Sequence, residues 1–212
     1  PLVGLVAGER RPMSLRLSGG RRLQSPPGDR ARPTAARVRQ SVLNILAPRL
    51  AGTRWLDLCC GSGVMACEVL QRGAAQVVAV EQDRRIAQVA RQNLGAVAAG
   101  LGLGPERWQL HCQEVLRWLQ RPIPNEGTSR GFDLIYCDPP YRAGLYGPMA
   151  DGVSAGGWLA PDGLMVWECA SAEMPQLPPD WVLEDQRRYG TTSLMVLSCR
   201  AGCRGDTGSR RP

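Results

Sequence analysis

The chain contains no lysine, so every one of its 26 basic residues is arginine. Arginine suits phosphate contacts and base stacking. A single histidine, His111, and the absence of any C-x-x-C pair leave little for a metal site. Cys59 and Cys60 are adjacent, Cys67, Cys137 and Cys169 lie in apolar runs, and Cys199-x-x-x-Cys203 is too sparse. The cysteines are therefore expected to be small buried hydrophobes in a reducing cytosol. No apolar run approaches the ~20 residues of a membrane span. Leu2–Ala7 is too short for a signal-peptide core, and no cleavage pattern follows it.

What is present fits one domain. The chain has 212 residues, a formal net charge of +7 and a pI near 9.3, which favours an anionic partner. Arginine crowds the amino end through Arg39, and the only acidic residues of positions 1–39 are Glu9 and Asp29. The chain begins at Pro1, and Met13 is the expected natural start, with residues 1–12 a disordered or non-native extension. Residues 13–32 read as a basic hairpin and linker, since S-L-R-L-S-G-G-R-R-L-Q alternates short apolar residues around Gly19-Gly20. Residues 33–200 carry the main domain and 201–212 a flexible tail.

Pro33-Thr34 opens a helix with Thr34 as N-cap and Val38, Val42, Ile45 and Leu46 as its buried stripe. Strands are expected at 55–60, 76–80, 107–111, 132–137 and 164–169, with helices at 64–71, 84–94, 114–119 and 145–154 between them. The stretch from Gly95 to Pro105 reads as glycine-rich loop, and Pro122–Arg130 as another. Two last strands, 181–188 and 193–199, form an antiparallel hairpin through Gly190. Alternation of this kind predicts an α/β fold, an open parallel Rossmann-like sheet with helices on both faces. Ligands bind such sheets beyond the carboxyl ends of the strands, where strand order reverses.

Two motifs are expected to meet there. L-D-L-C-C-G-S-G offers Gly61, Ser62 and Gly63 for close backbone approach, with amides at a helix start. Glu81, followed by Gln82 at the end of the second strand, is placed to accept from two ribose hydroxyls. G-S-G-V-M-A also satisfies the G-x-G-x-x-A dinucleotide fingerprint, so an NAD-dependent oxidoreductase is a rival. Asp57, four residues before Gly61, favours S-adenosylmethionine, because a carboxylate there can hold a cationic amino group.

The second motif is F-D-L-I-Y-C-D-P-P-Y. Asp138, a stiff pair of carbonyls at Pro139 and Pro140, and the aromatic face of Tyr141 suit a planar ring with an exocyclic amino group. Neither proline has an amide hydrogen, and local donors cannot easily occupy their carbonyls. Taken alone, D-P-P-Y is equally a proline turn with a buried tyrosine.

With these pieces in order, the chain resembles the RsmD family of bacterial 16S ribosomal RNA guanine-N2 methyltransferases. The similarity runs from about Met13 to Arg200 through S-L-R-L-S-G-G-R-R-L, R-P-T-A-A-R-V-R-Q-S-V-L-N-I-L-A-P, L-D-L-C-C-G-S-G, V-E-Q-D, F-D-L-I-Y-C-D-P-P-Y and Y-G-T-T. R-P-T-x-x-R-V-R is the most family-specific block, since D-P-P-Y is shared with DNA amino-methyltransferases. The resemblance implies a class I S-adenosylmethionine-dependent fold with a small basic amino-terminal β-hairpin. It places Asp57, Gly61 and Gly63 around the methionine moiety, Glu81 on the ribose, Glu114 near the adenine amino group and the Val115 amide at the ring. Asp138 to Tyr141 would hold the target base. Arg21, Arg22, Arg32, Arg37, Arg39 and Arg142 are the RNA-facing candidates. The implied partner is small-subunit ribosomal RNA or the assembling 30S particle, met in the cytoplasm by a monomer. The family pattern is broken at Cys59-Cys60, which replaces Phe-Ala, at Val64-Met65, which replaces Ala-Leu, and at Glu114, where Asp or Asn is usual. An adenine amino-methyltransferase acting on DNA or RNA shares the core and is the alternative.

Overall fold

The computed structural model describes residues 15–26, 36–122 and 131–200. The expected extension 1–12, the Thr34 cap, Arg32, most of the 122–130 loop and the tail lie outside the described residues.

Five strands run parallel: β1 (Arg54–Leu58), β2 (Gln76–Glu81), β3 (Trp108–Cys112), β4 (Phe132–Cys137) and β5 (Leu159–Ala170). The antiparallel pair β6 (Trp181–Tyr189) and β7 (Thr192–Cys199) completes a sheet of order β3-β2-β1-β4-β5-β7-β6. Order reverses at β1, which pairs with β2 on one side and β4 on the other. The expected crevice therefore lies between the ends of β1 and β4.

Both faces are covered, which is why the central strands read as nearly continuous apolar runs. Helices α1 (Ala36–Leu50), α2 (Val64–Gln71) and α3 (Arg84–Gly100) share one core with Trp55, Val77, Ala79, Leu134 and Tyr136. Helices α4 (Val115–Leu119) and α5 (Tyr146–Gly156) share the other with Leu56, Leu58, Ile135 and Trp167. Trp55 and Trp167 are fully buried on opposite faces. Each contributes on the order of 4–6 kcal/mol of apolar burial before entropy is set against it.

Two boundaries differ from expectation. α3 continues past Leu94 to Gly100, because Val97 and Ala98 extend its buried stripe. Its Gly95 lies against Trp108, so a glycine taken for a breaker is a packing residue. β5 begins at Leu159 rather than Leu164, with a register shift against Phe132–Leu134. The cysteines also depart from the all-buried expectation: Cys112 is exposed and Cys199 is disulfide-bonded, whereas Cys60, Cys67, Cys137 and Cys169 are buried.

Residues 15–26 turn back on themselves through an antiparallel bridge between Arg16 and Arg22, with Leu23 N donating to the Leu15 carbonyl at 2.8 Å. Leu15, Leu17 and Leu23 enter the core with α1–α3. A buried charge cluster fixes this segment. Glu68, fully buried on α2, accepts from the Ser18 amide at 2.9 Å, Arg39 Nε at 3.1 Å and Arg72 Nη1 at 2.6 Å, while Arg39 Nη2 donates to the Arg16 carbonyl at 2.7 Å.

Candidate active site

The chain leaves β1 in a strained turn. Cys59, Gly61 and Gly63 all have positive φ, at 63°, 55° and 74°. For a cysteine that conformation is uncommon, and such residues gather where a surrounding structure enforces them. Cys60 N donates to the Val80 carbonyl at 2.9 Å, so the turn is held on the β2 side. Gly63 occupies the N-cap of α2 and has no side chain to offer. Asp57 supplies the missing cap from β1, its Oδ2 accepting from Ala66 N at 3.1 Å.

Glu81 at the end of β2 accepts from Gly61 N at 3.0 Å and from Asp83 N at 2.9 Å. It thereby ties the glycine turn to the start of α3, where Asp83 caps Arg85 N and Ile86 N. Glu114 is the N-cap of α4 and accepts from Leu116 N and Arg117 N, both at 2.8 Å. Val115 is buried immediately behind it, and Gln82 is exposed. Ser62 is buried and its carbonyl accepts from Asn93 Nδ2 at 2.9 Å. The residues expected to hold a cofactor thus line one rim, several of them already braced by backbone amides.

The electrostatics of this rim are acidic. Burial and then the carboxylates of Glu81, Asp57, Asp138 and Glu114 push the Cys59 thiol up, so four acidic groups converge on that sulfur. Burial, with Glu81 adding to it and the Ala66 amide opposing it, pushes Asp57 up to about 8. A ligand bearing positive charge fits such a site, and S-adenosylmethionine, with a sulfonium and an ammonium group, is such a ligand.

Across the reversal point, Asp138 N lies 3.5 Å from the Leu58 carbonyl, extending the β1–β4 register into the D-P-P-Y loop. Asp138 is half-buried and Pro139 buried. The proline carbonyls differ. Ala143 N donates to the Pro140 carbonyl at 2.9 Å, correcting the expectation that no local donor reaches it. The Pro139 carbonyl accepts no bond from the described residues. Tyr141 is half-buried, its hydroxyl 3.5 Å from Thr192 Oγ1 at the start of β7, which brings Y-G-T-T beside D-P-P-Y.

The arginine candidates separate. Arg39 is buried and ion-paired with Glu68, so it fixes the amino-terminal segment and is not a surface contact. Arg21 Nη1 donates to the Ala96 carbonyl near the end of α3, and the tip of its turn sits against Glu68 and Gln71. Both helices run away from the crevice, so that tip points toward the amino ends of the strands. Arg22 is exposed opposite Arg16. Arg37, in the first turn of α1, is exposed, and Arg142 follows Tyr141 with Glu173 4.0 Å away across open surface.

Two supporting residues escape a reading by motif. Asn93 interrupts the apolar stripe of α3 and Glu168 interrupts the apolar strand V-W-E-C, and a buried polar residue in such a run signals a specific partner.

The family described as conserved hypothetical protein 95 matches residues 17–198. Ribosomal RNA small subunit methyltransferase D of Escherichia coli K12 is 30% identical over 183 residues, 86% of this chain and 86% of that one. The protein of that name from Haemophilus influenzae is 28% identical over 84% of this chain and 88% of its own. The solved structure described as "Putative methyltransferase yhhF from Escherichia coli" superposes with a TM-score of 0.72 at 28% identity, covering 89% of this chain and 99% of its own.

Proposed function

The chain belongs to the RsmD family of small-subunit ribosomal RNA methyltransferases, and from that membership we propose that it methylates the exocyclic N2 amino group of a guanine in small-subunit ribosomal RNA. S-adenosylmethionine is the cofactor that the family and the class I fold imply. The substrate is the RNA or an assembling 30S particle, and the enzyme acts as a cytoplasmic monomer.

The observation that carries this reading is the reversal of strand order at β1, which sets Asp138 and the Pro139 carbonyl, to which no described residue donates, across from the glycine turn. When bound, S-adenosylmethionine supplies an activated methyl group. Asp57, Gly61, Ser62, Gly63, Glu81, Gln82, Glu114 and Val115 are the residues proposed to hold it. The protein's contribution is then alignment, with no covalent help required. A guanine amino nitrogen is a poor nucleophile, because its lone pair is delocalised into the ring. Asp138 and the Pro139 carbonyl each accept one amino hydrogen, which favours a more tetrahedral nitrogen with its lone pair turned toward the methyl. Pro140 stiffens the loop, and Tyr141 replaces a stacking neighbour for the extruded base, worth ~1–3 kcal/mol. Arg37 and Arg142, with Arg32 and Arg22, are the proposed phosphate contacts.

The test is methyl transfer from labelled S-adenosylmethionine to unmethylated small-subunit RNA, both free and with ribosomal proteins bound, followed by nucleoside analysis. N2-methylguanosine formed by the wild type and lost in Asp138→Ala is the expected result. Label on adenine would replace the reading with adenine amino-methylation, and no label with no cofactor binding would end it.

A further inference from the structure

Glu168 is buried in β5 and has no part in the chemistry described above, yet it receives hydroxyls from both sides of the D-P-P-Y loop. Tyr136, two residues before Asp138, donates to Glu168 Oε2 at 2.5 Å. Tyr146, the first residue of α5 and five beyond Tyr141, donates to the Glu168 main-chain carbonyl at 2.5 Å. The two tyrosines come from opposite cores. Tyr136 packs beside Trp55, with ring centroids 6.0 Å apart, and Tyr146 beside Trp167, at 5.2 Å. Between them runs the loop with Asp138, Pro139, Pro140 and Tyr141.

We infer that Glu168 is a positioning residue that clamps both ends of the target-base loop and so sets where Asp138 and the Pro139 carbonyl stand. It rests on the reading of that loop as the element that holds the base. Residue order alone establishes only the stiffness of the two prolines, which hold the loop's internal shape. Stiffness inside a loop does not determine where the loop stands on the sheet, and a rigid loop pivots about its two ends. Clamping those ends to one buried residue removes the pivot. Tyr136 suits this role because burial, followed by the nearby Glu168 and Asp138 charges and the bond to Glu168, pushes its hydroxyl far up, so it stays a donor. A carboxylate accepting a buried hydroxyl makes one of the stronger neutral-to-ion hydrogen bonds. The role asks for an acceptor at this position rather than for a charge that moves.

The role predicts a separation of readouts. Glu168→Leu removes the acceptor from Tyr136. Tyr146→Phe removes the other tie without touching the carboxylate, and it serves where Glu168→Leu folds poorly. Amide exchange at Tyr141 to Leu145, read by mass spectrometry on the full chain, is expected to quicken roughly tenfold in either variant. The dissociation constant for S-adenosylmethionine, by calorimetry, is expected to stay within about twofold of wild type, because the cofactor rim lies on β1, β2 and α4. The kcat is expected to fall by about 10- to 100-fold with little change in the cofactor KM. Glu168→Gln, which keeps an oxygen acceptor, is expected to restore most of the loop protection and of kcat. Unchanged loop exchange, or cofactor affinity lost in step with kcat, would overturn the proposal. If the wild type modifies no RNA, the proposed function fails on its own account, while loop exchange and cofactor affinity still decide the clamp.

Discussion

The side chain of Asn93 on α3 donates to the carbonyl of Ser62 in the glycine turn at 2.9 Å. The same amide donates to the Gln24 carbonyl at 3.0 Å, and its oxygen accepts from Gln24 N at 2.8 Å. One buried side chain therefore joins the glycine turn to the amino-terminal segment. Asn93→Ala leaves three backbone polar groups without these partners, the Ser62 carbonyl in a buried setting and the two groups of Gln24 in a partly exposed one, at a cost of about 1–3 kcal/mol. The expected outcome is a lower urea midpoint together with faster amide exchange in residues 15–26 and weaker binding of S-adenosylmethionine. Asn93→Asp keeps the acceptor for Gln24 N but loses both donors, and is expected to fall between. Weakened stability with unchanged exchange in 15–26 would show that the two elements are not joined through this residue.

Asp57 gives a pH dependence whose sign is fixed by the direction of its shift. Burial raises the folded value to about 8, well above the ordinary ~3.9 of an aspartate in the unfolded chain. The stability contributed by the neutral carboxyl is complete below the unfolded value and is lost as pH rises through about 8. In this window the free protein is expected to lose up to ~1.4 kcal/mol per pH unit from this group. If Asp57 holds the cationic amino group of S-adenosylmethionine, the ligand favours the ionised form, and binding below pH 8 releases a proton from Asp57. Its affinity is expected to rise by up to tenfold per pH unit and then level off. Asp57→Asn keeps an oxygen for Ala66 N and should flatten both curves; calorimetry in buffers of different ionisation enthalpy counts the proton.

Much of this arrangement is legible in residue order. Glycines, prolines and unbroken apolar runs mark where strands stop, and the helix expected at 64–71 is found at Val64–Gln71 because a glycine turn and a buried strand bracket it. The helix expected at 84–94 ends later, since Gly95 and Gly100 weaken a helix locally while Leu94, Val97 and Ala98 hold it by tertiary burial. Arg39 illustrates the harder case. It sits beside the apolar stripe of its helix and resembles any exposed basic residue, but its partner Glu68 lies 29 residues away in another helix. Periodicity reports which face of an element is buried, not which distant charge meets it there.

Gly63 has a second constraint besides its φ of 74°. A Cβ at this position would stand 3.2 Å from the Cβ of Ala90 and 3.4 Å from its Cα, so α3 packs directly on the turn. Gly63→Ala is expected to cost about 1–3 kcal/mol from the left-handed backbone and the crowding together. Ala90→Gly opens the space without relieving the backbone. The double variant is expected to recover only part of the loss, measured by urea midpoint, and full recovery would mean that crowding alone constrains the position.

Arg39 and Arg142 make opposite predictions from the same residue type. Arg39→Ala removes one of two arginines from the fully buried Glu68, and leaving that charge half-compensated is expected to cost roughly 3 kcal/mol. Affinity for RNA should follow only through that lost stability. The Arg142 side chain is 90% exposed and its contact with Glu173 is 4.0 Å long, so Arg142→Ala should leave the melting temperature unchanged. If Arg142 meets a phosphate beside the target base, its removal lowers RNA affinity and reduces the slope of log K against log salt by about 0.7–0.9, the loss of one counterion-releasing contact. Fluorescence polarisation with small-subunit RNA across a salt series measures both quantities. An unchanged slope would exclude Arg142 from the RNA surface and leave Arg37, exposed in the first turn of α1, as a described candidate to test next.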